Sequence, residues 1–256
     1  MPQTKTVLIT GGASGLGFEF AKLFANDKCD LVLVGQDKEK LYIAKNDLEK
    51  TFGVSIKIIS KDLSKPTSSQ EIFDELKKDE IKIYILVNNA GFSKYGLFKD
   101  ISIEEDTSEI NVNVMALTNL TKLFLPSMLE INSGKILNIA STAAFAPGPM
   151  MSVYFATKAY VLSFSEALSE ELEGTQVTAT VLCPGPTTTG FAKRANIQNS
   201  HLYRKPMKAE MVALTGYKGL MINKKVVIPG FNNNLFVNLL RIAPRSVVPG
   251  VVKKIW

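Results

Sequence analysis

A tyrosine and a lysine stand four residues apart in the segment SVYFATK, which covers residues 152–158. On a helix this spacing places Tyr154 and Lys158 on one face, where both side chains can reach the same point in space. A phenol beside an ammonium ion gives up its proton more readily than free tyrosine, because the positive charge favours the phenolate. The pair therefore indicates proton transfer, although the same spacing also occurs on helices with no chemical role.

The composition is typical of a globular protein with a sizeable core. The chain has 256 residues, 46% of them hydrophobic, and a mean hydropathy of +0.10, which fits one large domain. No run of 18 apolar residues is available to cross a bilayer, and the start of the chain shows no signal-peptide pattern, so we expect a cytoplasmic protein. Cys29 and Cys183 lie in separate apolar surroundings without histidine or cysteine neighbours. We therefore predict neither a disulfide nor a metal site.

The net charge of +6 is distributed unevenly along the chain. Residues 193–256 hold 12 lysines and arginines against the single acid Glu210, whereas residues 1–192 hold 18 basic and 23 acidic residues. A basic C-terminal quarter on an acidic body favours either an anionic partner or membrane surface, or a solvated face that the acidic part balances. The sequence leaves both interpretations open.

A glycine-rich turn follows the first apolar run of the chain. Residues 6–10 are a short β-branched strand pattern, residues 11–17 read GGASGLG, and residues 18–25 have helical spacing. Glycines at such a turn let the backbone approach a ligand closely, and the free N–H groups at the helix start favour a pyrophosphate. The pattern therefore predicts a phosphate-binding turn between a first strand and a first helix, with a ligand-free tight turn as the alternative.

Strand and helix patterns alternate along the rest of the chain. Strands rich in Val, Ile and Leu, separated by helices, predict a doubly wound parallel sheet, the α/β Rossmann fold, with about seven strands in a single domain over residues 1–256. The predicted strands cover residues 6–10, 31–34, 54–59, 82–87, 135–140 and 177–182. The predicted helices cover residues 18–25, 37–50, 66–78, 102–129 and 152–173.

Polar residues and glycines follow these strands where each one ends. In an open parallel sheet the ligand lies beyond the carboxyl ends of the strands, so the residues just after each strand should meet at one edge. These residues are the glycine turn, Asp62-Leu63, Asn88-Asn89-Ala90-Gly91, Ser141 and Pro184-Gly185-Pro186-Thr187-Thr188-Thr189.

At these residues the sequence resembles the short-chain dehydrogenase/reductase family. The resemblance covers residues 6–191, returns at 225–230, and depends on five motifs in the family's order. The motifs are Thr10-Gly11-x-x-x-Gly15-x-Gly17, Asp62, Asn88-Asn89-Ala90-Gly91, Ser141 thirteen residues before Tyr154-x-x-x-Lys158, and Pro184-Gly185 followed by Thr189. Within the family, residues 91–96 and 226–230 look similar to a bacterial subgroup named after DltE.

The resemblance implies a catalytic role for four residues. Tyr154 would donate a proton to the substrate oxygen, Ser141 would steady that oxygen, and Asn113 would hold a water in the proton path. Lys158 would hold the nicotinamide ribose and lower the tyrosine pKa from ~10 to near 7, which takes about 4 kcal/mol. An ammonium about 4 Å away supplies roughly that amount at an effective dielectric of about 20. Asn111 should be structural.

The resemblance also implies a nicotinamide dinucleotide cofactor. Its contacts would be Gly11, Ser14, Gly15, Leu16, Gly17, Gln36, Asp62, Leu63, Asn89, Ala90, Gly91, Tyr154, Lys158, Pro184, Gly185, Thr187 and Thr189. Family enzymes that use NAD carry an acid at the position of Gly35, and many NADP enzymes carry arginine at Gln36 or a basic residue at Ser14. This chain has neither, and Asp37 is better explained as a helix N-cap. Without the acid that excludes NADP, we predict NADP, with NAD possible.

Residues 186–223 fall where the family has its substrate lid. Apolar side chains there and beside Tyr154 predict a soft apolar pocket: Met150, Met151, Phe191, Ile197, Tyr203, Met207 and Met211. Basic side chains there favour an anionic carrier such as a phosphopantetheine thioester, or belong to a solvated lid: Lys193, Arg194, Arg204, Lys205 and Lys208. His201 is the one histidine, and we expect it on the surface.

The C-terminal extension, residues 231–256, has two apolar helical stripes broken by Pro244 and Pro249. The stripes are Leu235, Phe236, Leu239 and Leu240, then Val247, Val248, Val251, Val252, Ile255 and Trp256. Three interpretations remain: packing on the body or on a second subunit, a lid over the pocket, and shallow membrane attachment. We expect packing, with the basic face outward, because apolar stripes in a globular chain usually pack on protein.

The sequence as a whole predicts an oxidoreductase that transfers a hydride between NAD(P) and a carbonyl or secondary alcohol, an apolar ketone or 3-oxoacyl-type substrate. The alternative is a catalytically silent dinucleotide-binding sensor or scaffold. We expect a homo-oligomer, which the family commonly builds through its long fourth and fifth helices, and no nucleic-acid partner.

Overall fold

A computed structural model describes residues 5–200, 203 and 205–255 of the protein. The strands are β1 (Thr6–Thr10), β2 (Asp30–Gly35), β3 (Ile56–Ser60), β4 (Ile83–Asn88), β5 (Gly134–Ile139), β6 (Val177–Leu182), β7 (Thr187–Thr188), β8 (Met207–Lys208) and β9 (Val226–Val227). The helices are α1 (Gly15–Asn26), α2 (Lys38–Phe52), α3 (Ser68–Lys78), α4 (Ile103–Ile110), α5 (Leu117–Glu130), α6 (Ser152–Glu171), α7 (Phe191–Arg194), α8 (Ala209–Met221), α9 (Phe231–Ile242) and α10 (Val248–Ile255).

Seven of these strands form one parallel sheet in the order β3-β2-β1-β4-β5-β6-β9. β1 pairs with β2 on one side and β4 on the other, so the order reverses between β1 and β4. The crevice beyond the carboxyl ends of the strands at such a switch point is where an open α/β sheet binds its ligand. The predicted doubly wound Rossmann fold with about seven strands is confirmed.

The sheet is buried on both faces. Most residues in its strands are apolar, and successive side chains along a strand point to opposite faces. Val7 and Ile9 of β1 point into the core under α1, α2 and α8, whereas Leu8 points into the core under α3, α5 and α6. Both faces therefore remove apolar surface from water, the main favourable contribution to folding. Near-continuous hydrophobic strands are the sequence signature of this arrangement.

Local signals in the sequence fix several helix ends. The Asp37 side chain accepts a hydrogen bond from the Lys40 N–H at the start of α2, and Gly53 ends that helix at φ 67°, in the left-handed region. At the start of α4, Ser102 and Glu105 form a capping box. These contacts satisfy backbone groups that the helix termini would leave without partners.

The predicted long helix over residues 102–129 is interrupted in the structure. α4 and α5 are joined by a π-helical segment, Asn111–Ala116, whose wider turn adds a residue to the helical ladder. Asn113 lies in this segment and is buried. A helical hydrophobic pattern does not reveal a π-turn, because the apolar periodicity on either side continues through it.

The C-terminal part completes the domain around the sheet. α8 packs on α1, and β9 adds the edge strand beside β6. β7 and β8 form a small separate parallel pair. No helix in the described ranges is both long and apolar enough to cross a membrane.

Candidate active site

A large cleft of about 1130 Å³ lies at the carboxyl edge of the sheet. It extends from the end of β2 to the start of α6 and on to the C-terminal extension. From the predicted site it is lined by Gly11, Ser14, Gly15, Leu16, Gln36, Leu63, Asn89, Ala90, Gly91, Ser141, Tyr154, Lys158, Pro184, Gly185, Thr187 and Thr189. The structure therefore brings these residues together, whereas Gly17, Asp62 and Asn113 are not part of the cleft lining.

The turn between β1 and α1 fits a pyrophosphate group. Gly11 and Gly15 have φ of 65° and 55°, in the left-handed region where glycine avoids the steric cost. No side chain caps the start of α1, and its first turn holds no acid. The free N–H groups and the helix dipole there favour an anion. Gly17 has a packing role, because a Cβ at that position would lie 2.2 Å from the Gly11 carbonyl oxygen.

The loop after β4 is held in place from β1. The Thr10 hydroxyl accepts hydrogen bonds from the N–H groups of Asn89 and Ala90, each at 2.9 Å. The Asn89 amide in turn donates to the Thr10 carbonyl oxygen at 2.9 Å. Thr10 was part of the motif but was not predicted as a site residue. Its role is to position the cleft wall from behind.

Asn113 positions the next part of that loop. Its side chain accepts from the Phe92 N–H at 3.1 Å and donates to the Phe92 carbonyl at 3.0 Å and to the Thr157 hydroxyl at 3.1 Å. These bonds tie the π-helical segment to the β4 loop and to α6. The expected structural role of Asn111 matches its hydrogen bond to the Ser64 carbonyl oxygen at 2.9 Å.

Ser141 and Tyr154 both line the cleft, and the Ser141 hydroxyl acts on the Tyr154 phenol by lowering its pKa. The Ser141 hydroxyl also donates to the Pro184 carbonyl at 3.3 Å and accepts from the Ala143 N–H at 3.1 Å. Its orientation is therefore set by the loops after β5 and β6. Two hydroxyl groups on one cleft floor can contact the same substrate oxygen.

Lys158 lies one helical turn beyond Tyr154 and is buried, with 5% of its surface exposed. Its ammonium group donates to the Ile139 carbonyl at 2.8 Å and lies 5.8 Å from the centre of the Tyr154 ring. Burial lowers the Lys158 pKa to about 8, because the charged form loses hydration. The lysine is therefore close to titrating at physiological pH.

The expectation that Lys158 brings the Tyr154 pKa near 7 is wrong for this structure. Burial raises the pKa of the phenol well above its ordinary value, and the Ser141 hydroxyl lowers it only in part. The physical reason is that both groups lie in a low-dielectric interior, which penalises the phenolate and the ammonium alike. A phenol with a raised pKa stays protonated at neutral pH and can still donate to a developing alkoxide.

Two lysines that sequence reasoning missed lie at the far end of the cleft, near Gln36. Lys40 pairs with Asp37 at 2.6 Å, and Lys61 pairs with Glu71 at 2.5 Å. Asp62, predicted as a cofactor contact, accepts from the Gln36 side chain at 2.6 Å and from the Ser64 N–H at 2.9 Å. Lys38, the lysine next to Asp37 in the sequence, lies over the Tyr42 ring. Lys40 and Lys61 thus bring positive charge to this end of the cleft, each already paired with an acid.

The other end of the cleft is apolar with basic residues at its side. Of the predicted lid residues, Phe191, Ile197, Tyr203 and Met151 line it, together with Lys193 and Arg194. Met150, Met207, Met211, Lys205 and Lys208 lie outside the lining, and Met211 is exposed. Arg204 and His201 fall outside the described residues. Four of the seven predicted apolar residues therefore line the cleft, and two of the four basic residues that the structure describes lie beside them.

The C-terminal extension covers this end of the cleft. Val237, Val248 and Val252 are buried, and Phe236 and Val252 line the cleft. α9 also packs on the turn after β5, where the Arg241 guanidinium lies 5.6 Å from the Phe145 ring centre. The side of the extension that faces the domain therefore both packs on the body and covers one end of the cleft.

Within one chain, the packing of the extension buries only part of the two apolar stripes. Four residues of the stripes are about half exposed: Leu235 at 48%, Leu239 at 58%, Val247 at 53% and Val251 at 45%. Neighbouring helical positions point in different directions, so α9 and α10 can bury only one side of each stripe. Trp256 lies outside the described residues.

Known proteins resemble this chain in sequence. The sequence model of the family described as short chain dehydrogenase matches residues 5–200. The ketoacyl reductase HetN of Nostoc sp. is 36% identical over 181 residues, which cover 71% of this chain and 63% of HetN. The very-long-chain 3-oxoacyl-CoA reductase of Rattus norvegicus is 34% identical over 192 residues, covering 73% and 60%. The chain thus spans less than two thirds of the length of these two relatives.

Solved structures share almost the whole fold. A short-chain dehydrogenase from Sphingobium yanoikuyae in complex with NADPH has a TM-score of 0.83 and 31% identity, covering 94% of this chain and 97% of that one. A short-chain dehydrogenase/reductase from Burkholderia phymatum in complex with NAD has a TM-score of 0.85 and 26% identity, covering 93% and 92%.

Proposed function

We propose a reaction for this chain, which belongs to the short-chain dehydrogenase/reductase family of oxidoreductases. The reaction reduces an apolar ketone or 3-oxoacyl thioester to the secondary alcohol with NADPH. A single domain carries it out. The observation that carries the proposal is that Ser141, Tyr154 and Lys158 line one cleft, which also contains the uncapped glycine turn at the start of α1.

The residues of the site have complementary tasks in this reaction. The nicotinamide supplies the hydride when bound. The Tyr154 hydroxyl donates its proton to the substrate oxygen, and the Ser141 hydroxyl hydrogen-bonds the same oxygen as negative charge develops on it. The Lys158 ammonium stabilises the phenolate that Tyr154 leaves behind. Asn113 keeps the β4 loop and α6 at a fixed separation through Phe92 and Thr157.

The proposal is tested by supplying NADPH and NADH with ketones, steroids and 3-oxoacyl thioesters. Loss of reduced nicotinamide absorbance that depends on one of these compounds supports it. The competing function is a catalytically silent dinucleotide-binding sensor or scaffold. Cofactor binding without turnover of any carbonyl compound would favour that alternative.

NADP is the proposed cofactor because Lys40 and Lys61 line the cleft near the end of β2 and can meet a 2′-phosphate. The relatives fit both cofactors, since the Sphingobium protein holds NADPH and the Burkholderia protein NAD. We therefore expect activity with both nucleotides and a preference for NADPH.

Gly35→Asp is expected to move this preference toward NADH by at least about tenfold in the ratio of kcat/KM values. A Cβ at Gly35 would meet only Leu41 carbons, at 3.6 Å or more, so the fold has room for the side chain. The new carboxylate accepts the ribose hydroxyls and repels a 2′-phosphate. Gly35→Asn is the uncharged control and should change the ratio less. Wild-type protein that already binds NADH tenfold more tightly would contradict the cofactor proposal.

The substrate class is proposed from the other end of the cleft. Its apolar lining suits an acyl chain or hydrophobic ketone, and the exposed Lys193 and Arg194 suit the phosphates of a coenzyme or carrier arm. Ketoacyl and 3-oxoacyl-CoA reductases are among the relatives. These points favour a 3-oxoacyl thioester over a small polar ketone.

Reversing both charges in Lys193→Glu/Arg194→Glu should raise the KM for a 3-oxoacyl-CoA by about tenfold at low salt. The KM for an uncharged ketone should stay within about twofold, because the change acts on the phosphates alone. Lys208→Glu, an exposed charge outside the cleft lining, is the matched control. Equal effects on both substrates would contradict an anionic carrier.

The chain is further proposed to form a homo-oligomer. Large apolar side chains are exposed along the outer side of α4, the π-helical segment and α6: Ile103, Ile110, Met115 and Tyr160. Pairing of these helices between two copies would cover them.

A further inference from the structure

A buried glutamate lies behind the tyrosine–lysine pair and has no part in the reaction described so far. Glu109, on the inner side of α4, has 1% of its surface exposed. One carboxylate oxygen accepts from the Lys94 N–H at 3.1 Å, and the other is buried without a hydrogen-bond partner. Carboxylates are rarely buried in this way unless a partner compensates for the lost hydration.

Glu109 also lines a small cavity that reaches the start of α6. The cavity, of about 10 Å³, is lined by Glu109 and Asp106 from α4 and by Ser152, Val153 and Tyr154 from α6. An Asp106 oxygen is also buried without a partner. The first turn of α6, which has no acid and no side-chain cap, thus shares this cavity with the two carboxylates.

Lys158 is the corresponding case with a positive charge. Its ammonium is buried with one neutral acceptor, the Ile139 carbonyl, and none of the ion pairs found in the described part of the chain includes it. A buried ammonium without an opposite charge loses its proton more easily. Among carboxylates, Glu109 acts on Lys158: its charge raises the lysine pKa against the larger effect of burial.

We propose that Glu109 is a positioning residue of the active site whose carboxylate is the counter-charge that keeps Lys158 an ammonium ion beside Tyr154. The inference rests on the proposed function and extends it. The same side chain anchors the β4 loop at Lys94, so charge and loop position are set by one residue.

The charges around Glu109 make its effect depend on pH. Burial raises the Glu109 pKa to about 7; the Lys94 N–H lowers it, Asp106 raises it, and Lys158 and the Ser93 hydroxyl lower it. The Lys94 ammonium is engaged by Glu105 at 2.7 Å. Below about pH 7 Glu109 is therefore protonated, and above it the carboxylate supports Lys158. Activity that needs the ammonium is lost as pH rises through the Lys158 pKa, about 8.

Glu109→Gln tests the charge while keeping an oxygen for the Lys94 N–H. For carbonyl reduction, kcat falls at alkaline pH, and we expect the pKa of this alkaline limb to be about one unit lower in the variant. One unit is the usual size of the pKa shift that a nearby buried charge produces. Rates at pH 6 should then agree within about twofold, and at pH 8.5 the variant should be about eightfold slower. Glu104→Gln, which removes an exposed carboxylate from the same helix, should leave the limb in place.

A second measurement needs no substrate. Nuclear magnetic resonance of ¹⁵N-labelled lysine side chains, with Lys158→Met to assign the signal, should show Lys158 titrating at lower pH in Glu109→Gln. An unchanged limb and an unchanged Lys158 titration overturn the proposal. A wild-type protein that reduces no carbonyl compound overturns the proposed function but leaves this titration interpretable.

Glu109→Asp covers the case in which the glutamine variant does not fold. The aspartate keeps the charge but retracts it from the Lys94 N–H, so we expect loop contacts to weaken and the alkaline limb to stay within about 0.3 unit of wild type. A shift of about one unit with the charge retained would show that loop anchoring, not charge, sets the limb, and would also overturn the proposal.

Discussion

Tyr154→Phe should lower turnover by at least about a hundredfold, the usual scale for loss of a general acid. The phenylalanine keeps the aromatic contacts with Phe155 and Phe191, whose ring centres lie 6.1 and 5.4 Å away, and loses only the hydroxyl group. Affinity for the cofactor should change little. Steady-state kinetics and a fluorescence titration with NADPH measure the two effects separately.

The same helix offers a matched control for this prediction. Tyr160 is partly exposed, and its hydroxyl makes a hydrogen bond with Thr118 at 3.0 Å, outside the cleft. Tyr160→Phe removes an equivalent hydroxyl and should leave turnover within about twofold. Full activity in Tyr154→Phe would exclude the tyrosine as the proton donor.

The raised pKa of Tyr154 changes how this acid is understood. The phenol need not be near its titration point to donate, because the developing alkoxide is a stronger base than the phenolate. What the site must supply is stabilisation of the phenolate once the proton has left, and that depends on Lys158 remaining charged. Charge on Lys158, rather than acidity of Tyr154, is thus the property that the surrounding residues have to control.

The sheet and the main group of site residues could be predicted because short stretches of sequence carry the signals for them. Each buried strand carries its own apolar pattern, the glycine turn directly follows β1, and the Tyr154–Lys158 spacing is read within one helical turn. The carboxyl-edge rule then brought Ser141 and the β4 loop to the same cleft. These inferences need only short stretches of chain and the fixed geometry of a parallel sheet.

Other parts of the site depend on contacts between distant segments. Glu109 is one of several acids in a polar stretch, and only the packing of α4 on α6 shows that it is buried. Lys61 reaches the cleft because β3 lies beside β2, which no local signal near Lys61 reveals. The direction of the Tyr154 pKa shift likewise required the burial of the whole site, since a nearby positive charge alone suggested the opposite sign.

Truncation after Gly230 is expected to lower the melting temperature by about 10 °C or more. The extension buries Val237, Val248 and Val252, each of which contributes roughly 1.5 kcal/mol or more when removed from water. Its loss would also expose the apolar cluster of Met151, Phe155 and Ile197 beneath α10. The effect should persist at high salt because its source is apolar burial. Calorimetry and binding of a hydrophobic dye measure both consequences.

The exposed side of the extension can be changed separately from its buried side. Leu235→Ser/Leu239→Ser alters two half-exposed side chains of α9 and should leave the melting temperature within about 2 °C of wild type. The same pair also tests membrane attachment, since a shallow amphipathic contact would depend on these side chains and on anionic lipid. If wild-type protein pellets with anionic liposomes at low salt and this variant does not, the outer face binds membrane. If the truncated chain keeps its stability as well, packing on the body is not the role of the extension.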